Sequence, residues 1–343
     1  MIKILKENLG AAFDAVAKSY DLFLPVKTAG TTNFAPYEKD AEVDLNTLKT
    51  VKSAKDFFFP QSETMMKFRL SGKNISIQDV REEKKPFVIF GVRGCDVKSF
   101  DILDKVFLDE PIDTFYKARR DAAVIVSLAC GSPELSCFCT NFGVDPANPC
   151  GNATAYLTEN ALYLRANDEK GEKLIKVLSD ISAPAGVNET EPVKKAIDEK
   201  VAKLPYKELD LSRFKPENLN ELFELEEWKS LSEACLGCGT CTFVCPTCQC
   251  FDIRDFKTHS GVMRFRCWDS CMYKDFTQMA AANPRTTQAQ RFRQRFMHKL
   301  VYYPSRYGGT YSCVGCGRCV NKCPQHLNIL KVIKTIGDKK NGD

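Results

Sequence analysis

Apolar and polar positions along the chain change their period near residue 225. In the first twenty residues Ile4, Leu5, Leu9, Phe13, Val16 and Tyr20 recur near helical spacing, which predicts an opening amphipathic helix. Residues 30–50 contain Thr, Asn and Pro and predict a loop with a short strand. Pro86 to Gly91 is a short apolar run closed by glycine, the pattern of a buried strand. Val97, Ile102, Leu103, Val106 and Phe107 then predict a helix, and Ala122–Leu128 a second buried strand. Strand, turn, helix and strand in this order open an α/β unit. Ala155–Leu164 reads as a hairpin and Glu169–Ile181 as a helix, while residues 182–224, with Pro184, Pro192, Pro205 and Pro216, read as helices and connections.

Beyond residue 225 helical spacings dominate. Phe292, Phe296 and Leu300 share one face, Thr287 and Gln290 form a capping-box start, and Gly308-Gly309 ends the region. Ile329, Leu330, Val332, Ile333 and Ile336 predict a closing helix. The expected fold class is α+β: a mixed α/β domain over residues 1–225, then a mainly helical domain over 226–343.

Composition narrows the class. With 44% hydrophobic and 27% charged residues the chain is a folded globular protein and not a mostly disordered one. Mean hydropathy is −0.28 and no apolar run approaches the length of a membrane span. Charges scattered among Met1–Asn8 predict no secretory signal, so a cytoplasmic location is expected. Cysteine is the outlier: 17 residues, an odd number, mostly at short spacings, which in a reducing compartment indicates metal and not a disulfide scaffold.

Two segments repeat one pattern. Cys235-Leu-Gly-Cys238-Gly-Thr-Cys241-Thr-Phe-Val-Cys245-Pro246 is C-x2-C-x2-C-x3-C-P, and Cys313-Val-Gly-Cys316-Gly-Arg-Cys319-Val-Asn-Lys-Cys323-Pro324 repeats it 78 residues later. Three closely spaced thiolates wrap three corners of a cubane, and the fourth, before proline, ligates the other cluster in two-cluster ferredoxins. One [4Fe–4S] cluster is therefore expected on Cys235, Cys238, Cys241 and Cys323, and another on Cys313, Cys316, Cys319 and Cys245. Structural zinc also uses C-x2-C pairs, but a doubled triple run closed by C-P is far more specific to iron–sulfur chemistry. The 67 residues between Cys245 and Cys313 require packed helices around the clusters, a helical ferredoxin.

Cys95 follows the first buried strand, and Cys130, Cys137 and Cys139 follow the second. If those strands are adjacent and parallel, four thiolates meet at one sheet edge. On spacing alone, buried structural cysteines remain an alternative there. Cys150, Cys248, Cys250, Cys267 and Cys271 are left over: small apolar residues packed near the clusters, a further metal site or a redox disulfide. His259, His298 and His326 share no ligand spacing.

Charge is uneven. Residues 231–343 hold 17 Lys/Arg against 7 Asp/Glu and 12 of the 17 cysteines. An oxidised four-thiolate cubane carries about −2, so part of the basic excess is expected to act as internal counter-charge. The arginines between Arg285 and Lys299 lack interleaved exposed aromatics, so no nucleic-acid surface is expected. No G-x-G-x-x-G, P-loop or nucleophile elbow occurs, and no catalytic residue is assigned. Clusters without a substrate site imply electron relay.

Phe90–Asp96, Ile102–Asp104, Phe115–Arg120, Cys137–Gly143, both cysteine runs, Cys245–Phe251, Trp268–Cys271, Phe292–Lys299 and Arg306–Gly308 carry a resemblance. The chain resembles the iron–sulfur β subunit of cytoplasmic sulfhydrogenases and the A subunit of anaerobic sulfite reductases, from about residue 86 to 330. That resemblance implies a third [4Fe–4S] cluster on Cys95, Cys130, Cys137 and Cys139. It also implies an NAD(P)H-binding flavoprotein partner and a terminal hydrogenase or reductase subunit. The chain is then an electron-transfer subunit with no chemistry of its own. The rivals are a self-contained thiol- or sulfur-reducing enzyme using Cys248, Cys250, Cys267 and Cys271, and a free ferredoxin-like carrier or zinc-stabilised scaffold.

Overall fold

Phe87–Val92 and Ala123–Leu128 are buried at every position, so each must be covered on both faces, the situation of a central parallel strand. In the computed structural model, which describes residues 1–81, 84–259 and 261–337, these two runs lie side by side and parallel. The last residues of the expected second domain, 338–343, lie outside the described residues. Strands are numbered in chain order: β1 (Ile2–Leu5), β2 (Asp21–Thr28), β3 (Thr31–Pro36), β4 (Ser62–Ser71), β5 (Asn74–Asp79), β6 (Phe87–Val92), β7 (Ala123–Leu128), β8 (Ala153–Leu157), β9 (Ala161–Ala166), β10 (Ala183–Pro184), β11 (Phe251–Thr258) and β12 (Gly261–Trp268). The first sheet has eight strands in the order β10-β1-β9-β8-β7-β6-β2-β3. Its centre, β2-β6-β7-β8, is parallel, and the flanking strands add antiparallel.

Helix Gly94–Phe107 returns the chain from β6 towards β7. It buries Val97, Phe100, Leu103 and Phe107 against Phe58, Phe59, Tyr116 and the sheet, while the opposite sheet face packs Leu24, Val88, Phe90 and Val126 on helix Leu9–Ala17. The opening helix is shorter than its spacing predicts. Residues 2–5 form β1, with Ile4 opposite Leu162 of β9. Ile2 and Ile4 also satisfy a period of two, and the free edge of β9 decides between the two patterns.

The cysteine repeats sit among helices, as expected. Helices Glu227–Ser232, Gln288–Met297 and Ile329–Gly337 enclose Trp228, Leu231, Phe292, Phe296, Leu300 and Ile333 in a second core, which Phe138, Phe142 and Phe214 also enter. Between the repeats the chain also forms the hairpin β11–β12, which the helical reading of this region does not include, although Phe251 and Ile253, and Met263, Phe265 and Cys267, alternate with charged residues. Its strands are held by an antiparallel ladder from Phe251–Trp268 to Thr258–Gly261, with Arg264 also pairing to Asp255 at 2.8 Å, and β12 pairs antiparallel with β4. The resulting four-stranded sheet, β11-β12-β4-β5, therefore draws strands from both sides of residue 225. Arg266 on β12, buried, is ion-paired with Glu63 and Asp113, and Trp268 donates to the Phe59 carbonyl at 3.0 Å. No helix among the described residues is long and apolar enough to cross a membrane.

Candidate metal centres

The two cysteine runs have the same backbone. Gly237 and Gly315 have φ of 66° and 60°, Gly239 and Gly317 of 71° and 74°. This left-handed conformation is open to glycine at little cost. It turns each run around its thiols before a short helix, Thr240–Phe243 in one and Arg318–Lys322 in the other. In the second run the glycines also permit contact. A Cβ on Gly315 would lie 2.5 Å from the Phe138 carbonyl, and one on Gly317 would lie 2.5 Å from the Ser136 carbonyl oxygen.

Cys235, Cys238, Cys241 and Cys323 line one cavity with Met272, Phe292, Arg295 and Phe296. The crossed assignment thus corresponds to a real juxtaposition of Cys323 with the first run. Burial, and then Cys319, Cys235 and Cys323, push the Cys241 thiol up to about 11 against the pull of Arg295. Cys313, Cys316 and Cys319 are grouped with Cys245. Burial raises Cys313, with Cys319 and Cys245 adding to it, and burial raises Cys316 to about 11, with Cys245 and Cys319 contributing and Arg318 opposing.

β6 and β7 are adjacent and parallel, so the loops after them leave the same sheet edge. Cys95, Cys130, Cys137 and Cys139 line a second cavity there, together with Lys49, Arg93 and Cys316. Burial is the first cause holding Cys130 at about 11 and Cys139 at about 12, and it raises Cys95 strongly. Arg93 ties the cavity wall together by donating to the carbonyls of Leu48, Ala129, Leu45 and Thr47 at 3.1, 2.7, 2.8 and 2.7 Å.

This donor set fits iron–sulfur ligation. Buried, mutually repelling thiols ionise when a cationic metal core binds them. Among the described residues no three His, Cys, Asp or Glu side chains converge as a single ion requires. Arg295 is buried, and its Nε and Nη1 have no hydrogen-bond partner. The nearby Cys241, Cys319, Cys248 and Cys245 hold its guanidinium charged despite burial, so an anionic core among these thiols completes its surroundings. The basic excess read from the sequence is thus partly internal: Arg295, Lys299 and Arg318 are all buried beside cysteines.

Several neighbours of the thiols carry no sequence signature. Lys49 reaches Cys316 O at 3.1 Å, Cys137 Sγ at 3.9 Å and Glu134 at 2.8 Å, and Arg318 binds both oxygens of Asp96 at 2.5 and 2.7 Å, beside Cys95. Lys49 belongs to a stretch read only as loop, and nothing in its spacing announces its role.

The leftover cysteines divide. Cys248, Cys250 and Cys271 gather next to Cys245, with side-chain hydrogen bonds Cys245–Cys248 and Cys250–Cys271. The bond from Cys271 is the first cause lowering the Cys250 thiol to about 7. Cys267 instead stands on β12 opposite Ser62 and Asp252, and Cys150 is exposed.

These features define a protein class: an iron–sulfur protein whose second half carries a ferredoxin-type repeat, and a family model described as a 4Fe-4S dicluster domain matches residues 234–327. Over 337 residues, 98% of this chain and 98% of the relative, it is 31% identical to sulfhydrogenase 2 subunit beta of Pyrococcus furiosus. The chain belongs to this sulfhydrogenase β-subunit family and is an iron–sulfur electron-transfer protein binding [4Fe–4S] clusters.

Proposed function

We propose that the chain is the electron-relay subunit of a multisubunit oxidoreductase of the hydrogenase type. It stands between an NAD(P)H-oxidising flavoprotein and a terminal hydrogenase or reductase subunit, in the cytoplasm. Cys235, Cys238, Cys241 and Cys323 would hold one [4Fe–4S] cluster. Cys313, Cys316, Cys319 and Cys245 would hold a second, and Cys95, Cys130, Cys137 and Cys139 a third. Bound there, the clusters would supply one-electron exchange. The observation that carries the reading is contiguity. Cys316 of the second set lines the cavity of the third, and Cys319 of the second set acts on Cys241 of the first. The second set therefore adjoins each of the other two.

The protein's own contribution is electrostatic. Arg295, Lys299, Arg318 and Lys49 place positive charge beside the thiols, which stabilises a core that gains an electron. Residues 1–225 supply the third set and residues 226–343 the other two. The relative's name, a sulfhydrogenase subunit, supports the choice of terminal partner.

Anaerobic purification of the native complex tests this. A flavoprotein and a terminal subunit are expected in fixed stoichiometry, identified by mass spectrometry. Cys95→Ser is expected to remove about four irons per chain from the complex. A chain that purifies alone overturns the relay between partners, and unchanged iron in the variant overturns the third set.

A further inference from the structure

Three thiols remain unused by the twelve ligands above: Cys248, Cys250 and Cys271. They are not scattered. Cys250 and Cys271 are joined side chain to side chain at the open end of the β11–β12 hairpin, where Asp269 N donates to Cys250 O at 2.9 Å. Cys248 acts electrostatically on Cys271 and reaches back to Cys245, and Cys271 is buried.

Two buried lysines lie beside these thiols: burial pushes Lys55 down while Cys248 and Cys245 oppose it, and against burial Cys245, Cys248 and Cys313 hold Lys299 charged. Lys55 is 1% exposed; it donates to Cys248 O at 2.8 Å and lies 3.6 Å from the centre of the Trp268 ring. Lys299 is 3% exposed and donates to Thr247 Oγ1 at 2.8 Å and Ser312 O at 3.0 Å. Among the described residues neither reaches a carboxylate at ion-pair distance; Asp56, beside Lys55 in the chain, is turned towards Lys52 at 3.8 Å. A buried charge without a counter-charge is strongly unfavourable; the second set matches Lys299, while Lys55, with no carboxylate at ion-pair distance, calls for anionic content beside Cys248. A disulfide between Cys250 and Cys271 would remove two of the three thiolates and leave Cys248 alone to face Lys55. A cluster held by three thiolates supplies the missing negative charge. The thiols also do not converge on one ion position, which disfavours a mononuclear centre.

We propose that Cys248, Cys250 and Cys271 bind a fourth iron–sulfur cubane, three irons each taking one of these thiolates and the fourth a non-cysteine donor, with Lys55 as its counter-charge. It lies beside the second set, through the Cys245–Cys248 contact, and is a branch off the other three. The proposal rests on the iron–sulfur reading of the chain but not on the identity of its partners, so co-purification and metal loading fail separately.

The test uses the intact complex, purified anaerobically and examined by native mass spectrometry and EPR. The wild-type chain is expected to carry about 16 irons and Cys248→Ser/Cys250→Ser/Cys271→Ser about 12, with the remaining EPR signals unchanged. The wild-type count stands even where the triple variant does not fold, and Cys271→Ser alone then assigns the location by altering one EPR signal. Brief oxidation with ferricyanide is expected to strip the iron that lacks a cysteine, giving a three-iron EPR signal that is absent from the variant. A wild-type count of about 12 overturns the proposal. A Cys250–Cys271 cross-linked peptide from the oxidised complex overturns it in favour of a dithiol.

Discussion

Gly315 and Gly317 each combine a left-handed backbone with a neighbour's main chain at 2.5 Å from where a Cβ would be. A left-handed residue other than glycine costs about 1–2 kcal/mol before any clash. Gly315→Ala is expected to lower stability by more than that and to reduce iron loading, measured by anaerobic urea unfolding and iron analysis. Gly131→Ala, with nothing within 4 Å, should leave both unchanged. Arg318 and Asp96 are 4% and 2% exposed and bidentate. Removing one partner of such a pair costs about 3–5 kcal/mol, while replacing both with apolar groups of similar volume is often near neutral. Asp96→Leu is therefore expected to be far more destabilising than Asp96→Leu/Arg318→Met, a double-mutant comparison readable from unfolding midpoints. His298 titrates in the opposite sense to a paired histidine. Burial first, then Lys299 and Arg285, hold it down at about 4. It folds neutral, so its contribution is complete above the ordinary value of about 6.5 and is lost as pH falls towards 4. Between pH 7 and 5 the wild type should lose about 1–2 kcal/mol that His298→Gln does not lose, measured by unfolding at each pH.

Helix Gln288–Met297 is legible in the amino-acid sequence, because its start signal and its apolar face are both local. Thr287 Oγ1 accepts from Gln290 N at 3.3 Å, Gln290 Oε1 accepts from Thr287 N at 2.9 Å, and Phe292 and Phe296 are buried. The helix presents Arg295 and continues through a π turn, His298–Tyr302, that presents Lys299. Thr287→Ala should cost about 1 kcal/mol in unfolding free energy, measured by anaerobic urea unfolding. The same locality explains β6, β7 and the cysteine repeats: continuous apolar runs and fixed thiol spacings need no distant partner to be read. The hairpin β11–β12 shows the limit. Phe265 and its neighbours alternate with Arg264 and Arg266, but the run is short and lies among helical spacings, and the charges are matched along the strand (Arg254 to Asp252), across it (Arg264 to Asp255) or far away in sequence (Arg266 to Glu63 and Asp113). Lys49 and Lys55 are illegible for the same reason, since a lysine in a loop becomes a buried cation only when the chain returns thiols to it.

At the scale of the whole molecule the two halves are built into each other. β4 lies between β5 and β12, Tyr303 donates to Ile102 O at 2.7 Å, and Phe138 enters the core of the cysteine repeats. Residues 226–337 expressed alone are expected to aggregate and to bind little iron, while co-expression with residues 1–225 should restore both, judged by size-exclusion chromatography and iron per chain. The seam between Phe138 and Gly315 has a kinetic meaning as well. Phe138 N donates to Gly315 O at 3.0 Å, so the loop bearing Cys137 and Cys139 rests main chain against main chain on the loop bearing Cys313 and Cys316. Beside this contact the Lys49 ammonium spans the same two loops, at 3.1 Å from Cys316 O and 3.9 Å from Cys137 Sγ. On the relay proposed above, the gap an electron would cross between those two thiol sets is set by this main-chain contact. Gating of the current would then fall to the outer sets and not to this seam.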